Sequence, residues 1–344
     1  MNNRNRRVNI IGPFPPPFGG ISVHIKRIFN HIKKENVQFY NTSEASFKRI
    51  PTLTKSKLFL LFFKFDQLIH YHSTSINVRL VLALYATINP FIYLHAHGAS
   101  LTDQLKLSTW KSTIIKLLLP KLNLICSNSE IYDYMKSTYS TKSLHLFDAF
   151  IPPKYDEKLD REILNSIEWP NSKYLLSMTG WFNRYNDQDL YGYDIMLNAL
   201  HELRKNNIDV SVIASVNGIG NQELYSSFIA ERDHLSLNDN FLLIMYDLQE
   251  LYPIIIKSDI FVRPTNTDGN AVSIKEAIWF DIPVIASDVV PRPDEAIIFK
   301  NRSVESLVNV ISKQLDKVNT HTNHKIYSSI KFEHPMIKEI YGFK

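Results

Sequence analysis

Short runs rich in β-branched and aromatic residues alternate with helix-period patterns from one end of this sequence to the other. Such alternation is typical of βαβ units, in which parallel strands form a sheet that helices cover on both faces. A chain of 344 residues also exceeds the size at which a single core stops growing. The sequence therefore predicts an α/β protein of two doubly wound, Rossmann-like domains.

The boundary between the domains is expected in a polar, proline-bearing segment, residues 151–171, which has the composition of a linker. Residues 1–165 and 166–325 are predicted to form the two domains. Residues 326–344 are predicted to form a C-terminal helix that packs back on the first domain. No internal repeat relates the two halves, so only their architecture is shared.

Strands and helices can be placed from the hydrophobic patterns. In the first half, strands are predicted at residues 8–12, 67–71, 91–95, 122–127 and 143–147. In the second half they are predicted at residues 174–179, 210–215, 241–245, 259–263 and 283–287. The first helix is predicted over residues 21–34, because Ile21, Ile25, Ile28 and Ile32 form one apolar stripe. Later helices are predicted to start near Tyr193, Gln222, Leu248, Ala271 and Val304.

Charge is distributed unevenly along the chain. Residues 1–170 hold 22 Lys and Arg against 12 Asp and Glu, about +10, and the remainder holds 17 against 22, about −5, which together give the net +5. A basic half indicates that one side meets an anionic surface or substrate. Since no helix-turn-helix, RNA-recognition or zinc-finger signature points to nucleic acid, an anionic membrane or lipid carrier is the expected partner.

Cysteine usage and hydropathy limit the class of protein further. Cys126 is the single cysteine, which excludes a disulfide framework and a cysteine-based metal cluster. The N-terminal apolar run VNII is too short for a signal peptide, and the stretch 58–65 is far shorter than the roughly 20 residues that span a bilayer. The expected location is cytoplasmic, peripheral at the inner face of the cytoplasmic membrane.

The loop GPFPPPFGG follows the first predicted strand and precedes the first helix. Gly19 and Gly20 allow a ligand to approach the main chain closely, and amides at the helix start can bind an anion. The alternative is a rigid turn without a ligand. Ser22, in the first turn of that helix, is a further candidate for contact with an acceptor or a sugar.

Two histidines, His95 and His97, end a predicted strand in the run HAHG, and His70 and His72 repeat this spacing on a neighbouring strand. Residues two apart on a strand point the same way, which permits a metal pair. We expect no metal, because no third ligand with suitable spacing lies nearby in the sequence. His97, and less so His95, is a candidate for hydrogen bonding to a sugar hydroxyl. The alternative is a buried, satisfied histidine.

The most informative stretch is FVRPTNTDGNAVSIKEA, residues 261–277, which runs from a strand through a glycine loop into a helix. The helix start offers unpaired amides and the positive end of the helix dipole, which suit a diphosphate. Glu276 lies one turn along this helix, where its carboxylate can accept from ribose hydroxyls. Arg263 can meet a phosphate or brace Asp268. The predicted donor-site residues are Arg263, Asp268, Gly269, Asn270, Ala271, Val272, Ser273 and Glu276, with Gly19 and Gly20 from the first half.

The second half resembles the retaining GT-B glycosyltransferases of family four. Asp268 and Glu276 have the spacing of that family's Glu-x7-Glu motif, and the run PVIASD matches its following strand. The form with aspartate at the first acidic position resembles bacterial polysaccharide enzymes of the capsule or O-antigen type. The runs GPFPPPFGGISVHI and HAHG match the family's first-domain loop and its cleft histidine. The likeness therefore touches both predicted domains.

This resemblance implies transfer of a sugar from a nucleotide-diphospho-sugar, with UDP favoured, to a hydroxyl of a glycan or lipid-linked glycan acceptor, with retention of configuration and no cofactor. It implies that the two domains face each other across a cleft, with the acceptor bound by the first domain and the donor by the second. It implies that Glu276 binds the ribose, that Val272 and Ser273 bind the diphosphate, and that Gly20 lies by the phosphates. Asp268 and His97 would contact the transferred sugar, and both are predicted catalytic residues.

The sequence departs from the family pattern at two expected cations. Trp181 and Tyr191 stand where Arg and Lys are usual. Arg184 is the proposed replacement and a predicted catalytic residue, with Arg263 or Arg292 as a second source of charge. Two alternative functions follow from the same pattern: a nucleotide-sugar epimerase, which needs no acceptor, and a non-catalytic nucleotide-sugar-binding subunit.

The stretch KSKLFLLFFKF, residues 55–65, combines apolar and basic residues. This composition is typical of a helix that lies in a membrane interface. A buried helix that covers the first sheet is the alternative.

Overall fold

The computed structural model of the protein describes residues 6–16, 19–32, 35–45, 47, 50–97, 100–245, 248–268, 271–317, 336 and 339–342. Contacts divide the chain into two compact units, Met1–Lys154 with Lys331–Lys344, and Tyr155–Ile330. Each unit contains a six-stranded sheet whose strands are all parallel. The predicted pair of doubly wound α/β domains is thereby confirmed.

The first unit alternates strands and helices. Its strands are β1 (Arg7–Gly12), β2 (Val37–Asn41), β3 (Gln67–His72), β4 (Ile92–Ala96), β5 (Asn123–Cys126) and β6 (Ser143–Leu146). Its helices are α1 (Gly20–His31), α2 (Lys55–Phe62), α3 (Ile76–Ala86), α4 (Ser100–Lys106), α5 (Trp110–Leu118) and α6 (Ser129–Thr138). The strand order is β2-β1-β3-β4-β5-β6.

The second unit repeats this plan. Its larger sheet contains β7 (Tyr174–Phe182), β10 (Val210–Ile219), β11 (Phe241–Ile244), β12 (Ile260–Arg263), β13 (Val284–Ser287) and β14 (Ile297–Phe299), and β8 (Arg184–Tyr185) and β9 (Gln188–Asp189) form a small hairpin. Its helices are α7 (Glu157–Asn165), α8 (Tyr193–Lys205), α9 (Gln222–His234), α10 (Tyr252–Lys257), α11 (Val272–Trp279) and α12 (Val304–Leu315). The strand order is β11-β10-β7-β12-β13-β14.

Each sheet has a hydrophobic core on both faces, because successive strand residues point to opposite sides. Leu68 and Ile69 in β3 are fully buried and belong to different cores. Phe261 and Val262 in β12 are divided in the same way. Ile25 and Ile28 on α1, and Ile32 directly after it, belong to the predicted stripe and are buried in one of these cores. The near-continuous burial of the strands is what a sheet covered on both faces requires.

Two local predictions are wrong. The segment predicted as a linker does hold the division between the units, after Lys154, but it also contains α7. Asp156 caps this helix by accepting hydrogen bonds from the amides of Lys158 and Leu159 at 3.1 and 3.3 Å. The helix predicted near Leu248 begins at Tyr252 instead, with a proline in its first turn. Pro253 is favoured there because the first-turn amides of a helix have no intrahelical partner.

Met336, Ile340 and Tyr341 are buried in a core of the first unit. The rest of the predicted C-terminal helix, apart from Glu339 and Gly342, lies outside the described residues. Among the described residues, no helix combines the length and the apolar character that crossing a membrane requires.

Candidate functional site

Each sheet has a switch point, where the strand order reverses direction. In the first sheet it lies between β1 and β3, and in the second between β7 and β12. Doubly wound proteins bind ligands outside the carboxyl ends of the strands at this point. In this protein each switch point carries a cluster of polar side chains, and the two clusters differ in chemistry.

At the second switch point, three charged side chains form one group, the Arg–Asp–Arg cluster of Arg263, Asp268 and Arg292. Arg263 ends β12 and donates from Nε and Nη2 to the two carboxylate oxygens of Asp268, both at 3.0 Å. Arg292 donates from Nη1 to Asp268 Oδ2 at 2.8 Å. The three side chains are 11, 7 and 3% exposed, in sequence order. Of the two roles that the sequence allowed Arg263, bracing Asp268 is the one observed.

Pairing keeps these groups ionised against the effect of burial. Burial alone would raise the pKa of Asp268, but Arg263 and then Arg292 hold the pKa of this carboxyl below its ordinary value. Burial likewise opposes the charge on Arg263, and the Asp268 carboxylate raises the pKa of the guanidinium above its ordinary value. Asp268 is therefore a fixed anion that orients two cations, because its oxygens are already occupied by strong donors.

The loop that carries Asp268 is tied to its neighbours by hydrogen bonds. Thr265 Oγ1 donates to Asp268 Oδ2 at 3.2 Å, and Ser287 at the end of β13 donates to the Thr265 carbonyl at 2.6 Å. Arg263 Nη1 donates to the Thr179 carbonyl of β7 at 3.0 Å, which bridges the two strands of the switch point. Asn266 donates to Gln188 of the small hairpin at 2.7 Å. The loop is thus fixed from three sides.

Helix α11 begins directly after this loop. Ala271 precedes the helix and has no side chain that could cap it, and no acidic residue lies in its first turn. The amides at this end point to the switch point with the positive end of the helix dipole, which suits an anionic ligand. Ala271, Val272 and Ser273 are half-buried at this start. The predicted ligand residues Gly269 and Asn270 lie outside the described residues.

Glu276, one turn along α11, is 3% exposed. Its position on the first turns of the helix is the one predicted for a carboxylate that accepts hydrogen bonds from a ligand's hydroxyl groups. Ile274 and Ala277, close to Glu276 on the same helix, are buried in an apolar cluster with residues of β12 and β13.

Tyr191 occupies the place beside Gly180 where the family pattern expects a cation. A Cβ atom on Gly180 would lie 2.6 Å from atoms of the Tyr191 ring, so the glycine makes room for that ring. The Arg263 guanidinium carbon lies 5.2 Å from the centre of the same ring. Trp181 is 43% exposed and its ring packs on Gly218. Aromatic rings thus stand at both expected cation positions, and Tyr191 also stacks near Arg263.

Asp189 is a site residue that sequence reasoning missed. Its carboxylate accepts hydrogen bonds from the amides of Tyr191, Gly192 and Asp194, at 2.9, 3.1 and 3.1 Å. Burial, and then the nearby Asp194 carboxylate, raise its pKa to about 6. Its only sequence signal is an acidic residue shortly before a helix, which is typical of a cap. Asp189 fixes the turn that presents Tyr191.

Arg184, the predicted catalytic cation, lies on β8. Its guanidinium contacts the Asp187 carbonyl at 3.1 Å and the Glu223 carboxylate of α9 at 3.6 Å. The side chain is 35% exposed. The structure therefore gives it partners outside the Arg–Asp–Arg cluster.

At the first switch point, buried histidines form a second group, the histidine cluster of His24, His70, His72, His95 and His97. One ring nitrogen each from His24, His72, His95 and His97 lies within 4.8 Å of the others. The sequence offers no third ligand close to His95 and His97, but the fold brings His24 and His72 beside them. Strand β3 lies beside β4, and α1 brings His24 over both.

Hydrogen bonds connect the rings of the cluster. His72 Nδ1 lies 2.9 Å from His97 Nε2, and His95 Nδ1 lies 3.1 Å from His70 Nε2. His70 Nδ1 lies 2.6 Å from the hydroxyl of Tyr341. His24 Nδ1 lies 2.8 Å from the Ala149 carbonyl, which can only accept. The predicted sugar ligands His95 and His97 therefore belong to a larger network.

Burial keeps three of these rings neutral. It lowers the pKa of His72, His95 and His97 well below the ordinary value, and the neighbouring histidines lower it further. His97 is 9% exposed, and the other members are 3% exposed or less. A neutral imidazole offers one hydrogen-bond donor and one nitrogen lone pair, so it can bind a hydroxyl group or a metal ion.

The glycine loop of the first unit meets the start of α1. Gly19 precedes the helix, its amide donates a hydrogen bond to Ser22 Oγ at 2.9 Å, and the Ser22 hydroxyl donates back to the Gly19 carbonyl at 3.0 Å. This reciprocal capping is the observed role of Ser22. A Cβ atom on Gly20 would meet no described atom within 4 Å, so the main chain at Gly20 is open to approach.

Residues 177–317 match the family described as glycosyl transferases group 1. This part of the chain includes the Arg–Asp–Arg cluster, Tyr191 and Glu276. No curated protein sequence matches the chain.

Several solved structures are similar to the whole chain. The Anabaena protein HepE in complex with UDP has a TM-score of 0.66 at 11% identity, and the match covers 91% of each chain. The UDP-forming α,α-trehalose-phosphate synthase of Burkholderia xenovorans, in complex with glucose-6-phosphate, has a TM-score of 0.65 at 12% identity and covers 90% of this chain and 92% of its own. The sucrose-phosphate synthase of Thermosynechococcus elongatus has a TM-score of 0.59 at 14% identity, covering 90% of each. These likenesses show that the fold is that of the GT-B glycosyltransferases.

Proposed function

We propose that this protein is a retaining hexosyltransferase that moves a sugar from a UDP-linked donor to a hydroxyl of a glycan or polyprenyl-linked glycan in cell-surface polysaccharide synthesis. The observation that carries the proposal is the start of α11 at the second switch point, with Glu276 one turn along the helix and the Arg–Asp–Arg cluster beside it.

Each part of a nucleotide-diphospho-sugar has a partner of matching chemistry in this unit. The helix amides at Val272 and Ser273, with the Ser273 hydroxyl, suit the diphosphate. The buried carboxylate of Glu276 suits the ribose hydroxyls. The match of residues 177–317 to a glycosyltransferase family covers this whole region and supports the assignment. HepE crystallised with UDP and with UDP-glucose, which favours a uridine diphosphate donor.

In the proposed reaction, the bond from the sugar C1 to the diphosphate oxygen breaks, and a bond from C1 to the acceptor oxygen forms on the same face. The acceptor proton passes to the departing phosphate oxygen. Charge develops on the diphosphate, and the α11 amides, Ser273 and Arg184 stabilise it. Asp268 holds Arg263 and Arg292 in place beside the site. In the first unit, His97, Ser22 and the loop at Gly19 and Gly20 are the residues that we assign to the sugar and the acceptor.

A non-catalytic nucleotide-sugar-binding subunit is the second candidate. It is favoured by Tyr191, which fills the place beside Gly180, and by the engagement of both Arg263 and Arg292 with Asp268. A site of this kind would bind the donor but would leave the developing charge to amides, each a smaller contribution than a full cation.

The test is incubation of purified protein with a panel of UDP-sugars, with and without lipid-linked glycan acceptors. Product that forms only with acceptor, with its anomeric configuration retained, supports the transferase. Product without acceptor indicates an epimerase on the same fold, and UDP binding without turnover indicates the binding subunit. Arg184→Gln should lower the transfer rate and leave UDP affinity unchanged. An unchanged rate would remove Arg184 from the mechanism.

We further propose that the first unit docks on the inner face of an anionic membrane. Helices α2, α3 and α5 carry exposed apolar side chains, namely Phe59, Leu60, Leu84, Trp110 and Leu117, together with Phe63 and Ile88 just beyond α2 and α3. The α2 and α3 parts adjoin through Phe63 and Tyr85, whose ring centres lie 5.7 Å apart. Lysines 55, 57, 64, 111 and 116 lie on or beside α2 and α5, and Lys106 is the last residue of α4. Each lysine near an anionic surface contributes about 1 kcal/mol.

Vesicle sedimentation tests this docking. Wild-type protein should sediment with vesicles that contain anionic lipid and much less with zwitterionic ones. Trp110→Ser together with Leu117→Ser should release it. Met245→Ser, which changes an exposed apolar residue of the second unit, serves as the control and should have no effect. Equal sedimentation of the double variant would contradict the proposal.

A further inference from the structure

We infer that the histidine cluster is a site for a divalent transition metal of the zinc type, bound through Nε2 of His24, His72 and His95. The observation behind it is the convergence of four histidine ring nitrogens within 4.8 Å inside the first unit. The inference does not depend on the proposed donor site, because Glu276 lies in the other unit.

The hydrogen bonds decide which nitrogen of each ring is available for a metal. The Ala149 carbonyl can only accept, so His24 Nδ1 carries its proton and Nε2 carries the lone pair. His72 and His95 also use Nδ1 for their hydrogen bonds within the cluster. Their Nε2 atoms are buried and have no hydrogen-bond partner among the described residues. Buried polar atoms without partners are rare, and a metal ion would satisfy both of these.

Each proposed ligand has an outer partner on its Nδ1 side. His24 is held by the Ala149 carbonyl, His72 by His97, and His95 by His70. The hydrogen bonds from His95 to His70 continue to Tyr341, whose hydroxyl lies 2.6 Å from His70 Nδ1. Metal-binding histidines almost always donate their second N–H to such a partner, which fixes the tautomer and the ring orientation. The arrangement assigns His70 and His97 to the outer shell.

The chemistry of the set favours zinc. Three imidazoles without thiolate or carboxylate suit Zn²⁺, Co²⁺, Ni²⁺ or Cu²⁺ rather than Mg²⁺ or Ca²⁺. A tetrahedral zinc site with Zn–N bonds of about 2.0–2.1 Å needs nitrogens about 3.4 Å apart. Shifts of roughly 1 Å in the ring positions would therefore close the 4.8 Å cluster around the ion. Three protein ligands leave a fourth position for a water molecule, and His97 is the most exposed member, at 9%.

Burial also favours metal binding, because it keeps the ligand rings neutral. It lowers the pKa of His72 and His95 well below the ordinary value, so these rings are neutral at physiological pH. Neutral imidazole is the form that binds a metal, and no proton has to be displaced from the Nε2 lone pairs.

The experiment is zinc titration by calorimetry on protein whose affinity tag has been cleaved and whose metals have been removed with a chelator. We expect one zinc ion per chain, and Co²⁺ in its place should give the visible absorption of a tetrahedral site. His72→Asn and His95→Asn should each lower zinc affinity by more than 100-fold. His70→Asn should lower it by roughly 10- to 100-fold, as outer-shell changes do. His234→Asn, on the exposed surface of α9, is the control and should bind zinc like wild type.

Circular dichroism and UDP binding by the second unit show whether each variant is folded, so a folding failure is recognised as such. Wild-type protein that takes up no zinc, or folded His72→Asn and His95→Asn variants with wild-type affinity, would overturn the inference. Equal losses for His70→Asn and His72→Asn would contradict the division into ligands and outer shell. Loss of zinc binding with UDP binding intact would leave the proposed donor site standing, so the two proposals fail separately.

Discussion

Both switch points contain buried polar side chains, but the side chains are charged at one switch point and neutral at the other. The Arg–Asp–Arg cluster keeps its charges, because two guanidiniums surround one carboxylate at 2.8–3.0 Å. The rings of His72, His95 and His97 in the histidine cluster are neutral, because burial and the neighbouring histidines lower their pKa values. The comparison shows that the strand order determines where a site lies, whereas the side chains that meet there determine its chemistry. A fixed charge pattern suits a diphosphate, and neutral rings suit a metal ion or hydroxyl groups.

The strongest test of this contrast is Asp268→Asn. The substitution removes the one anion between two buried guanidiniums, and breaking a buried ion pair in this way costs about 3–5 kcal/mol. The free energy of unfolding should fall by that amount, measured by urea unfolding with tryptophan fluorescence, since Trp169, Trp181 and Trp279 all lie in the second unit. Glu157→Gln, which breaks the exposed pair with Arg161, is the control and should have little effect. A small effect of Asp268→Asn would mean that the cluster is solvated.

Gly192→Ala tests how the charged cluster is held. Gly192 has a φ of 73°, and a Cβ atom there would lie 2.1 Å from the Pro264 carbonyl oxygen. The left-handed backbone alone costs about 1–3 kcal/mol for a residue with a side chain. We expect a loss of at least that size in urea unfolding. Gly20→Ala is the matched control, because a Cβ atom there meets no described atom within 4 Å. If both variants had similar unfolding free energies, the Gly192 turn would not be needed to hold the Arg–Asp–Arg cluster.

The pH dependence of stability sharpens the comparison, because the two clusters should respond to acid in different windows. The pKa of His72 is lowered on folding, so the unfolded chain binds more protons below its ordinary pKa of about 6.5. The stability that His72 gives is full above that pH and falls by up to about 1.4 kcal/mol for each pH unit below it. The pKa of Asp268 is also lowered, but for a carboxyl the loss begins only below about pH 4.

His72→Asn should therefore flatten the fall in unfolding free energy between about pH 6.5 and 5. The measurement is urea unfolding at several pH values in the presence of a chelator. Asp268→Asn should lower stability without changing this slope. If His72→Asn left the slope as it is in wild type, His72 would be charged or solvated in the folded protein.

Much of the fold was predictable, because buried parallel strands have a strong local signal. The predicted strands at 8–12, 67–71 and 174–179 lie within β1, β3 and β7. Two of the missed strands, β2 and β14, are edge strands with one neighbour each. β14 has only three residues, and β2 mixes Gln38 and Asn41 with apolar residues, so neither gives a continuous hydrophobic run.

The candidate sites were predictable only where they are local in sequence. Arg263, Asp268 and Glu276 fall in one strand–loop–helix segment, so their proximity follows from the chain itself. The proximity of the histidines does not follow from the local sequence. It requires β3 beside β4, α1 over both strands, and Tyr341 from the far end of the chain. The repeated spacing of His70 and His72 was visible, but their contact with His95 and His97 depends on strand order. His24 had no signal beyond its place on α1.

The most direct test of the proposed donor site is the affinity of UDP for wild type and for Glu276→Gln, measured by calorimetry. A carboxylate that accepts ribose hydroxyls contributes about 1.5–3 kcal/mol, so the substitution should weaken binding by about 10- to 100-fold. Glu231→Gln, on the exposed face of α9, should bind UDP like wild type. Wild-type affinity in a folded Glu276→Gln variant would contradict the ribose assignment, and the absence of UDP binding in wild type would contradict the donor site as a whole.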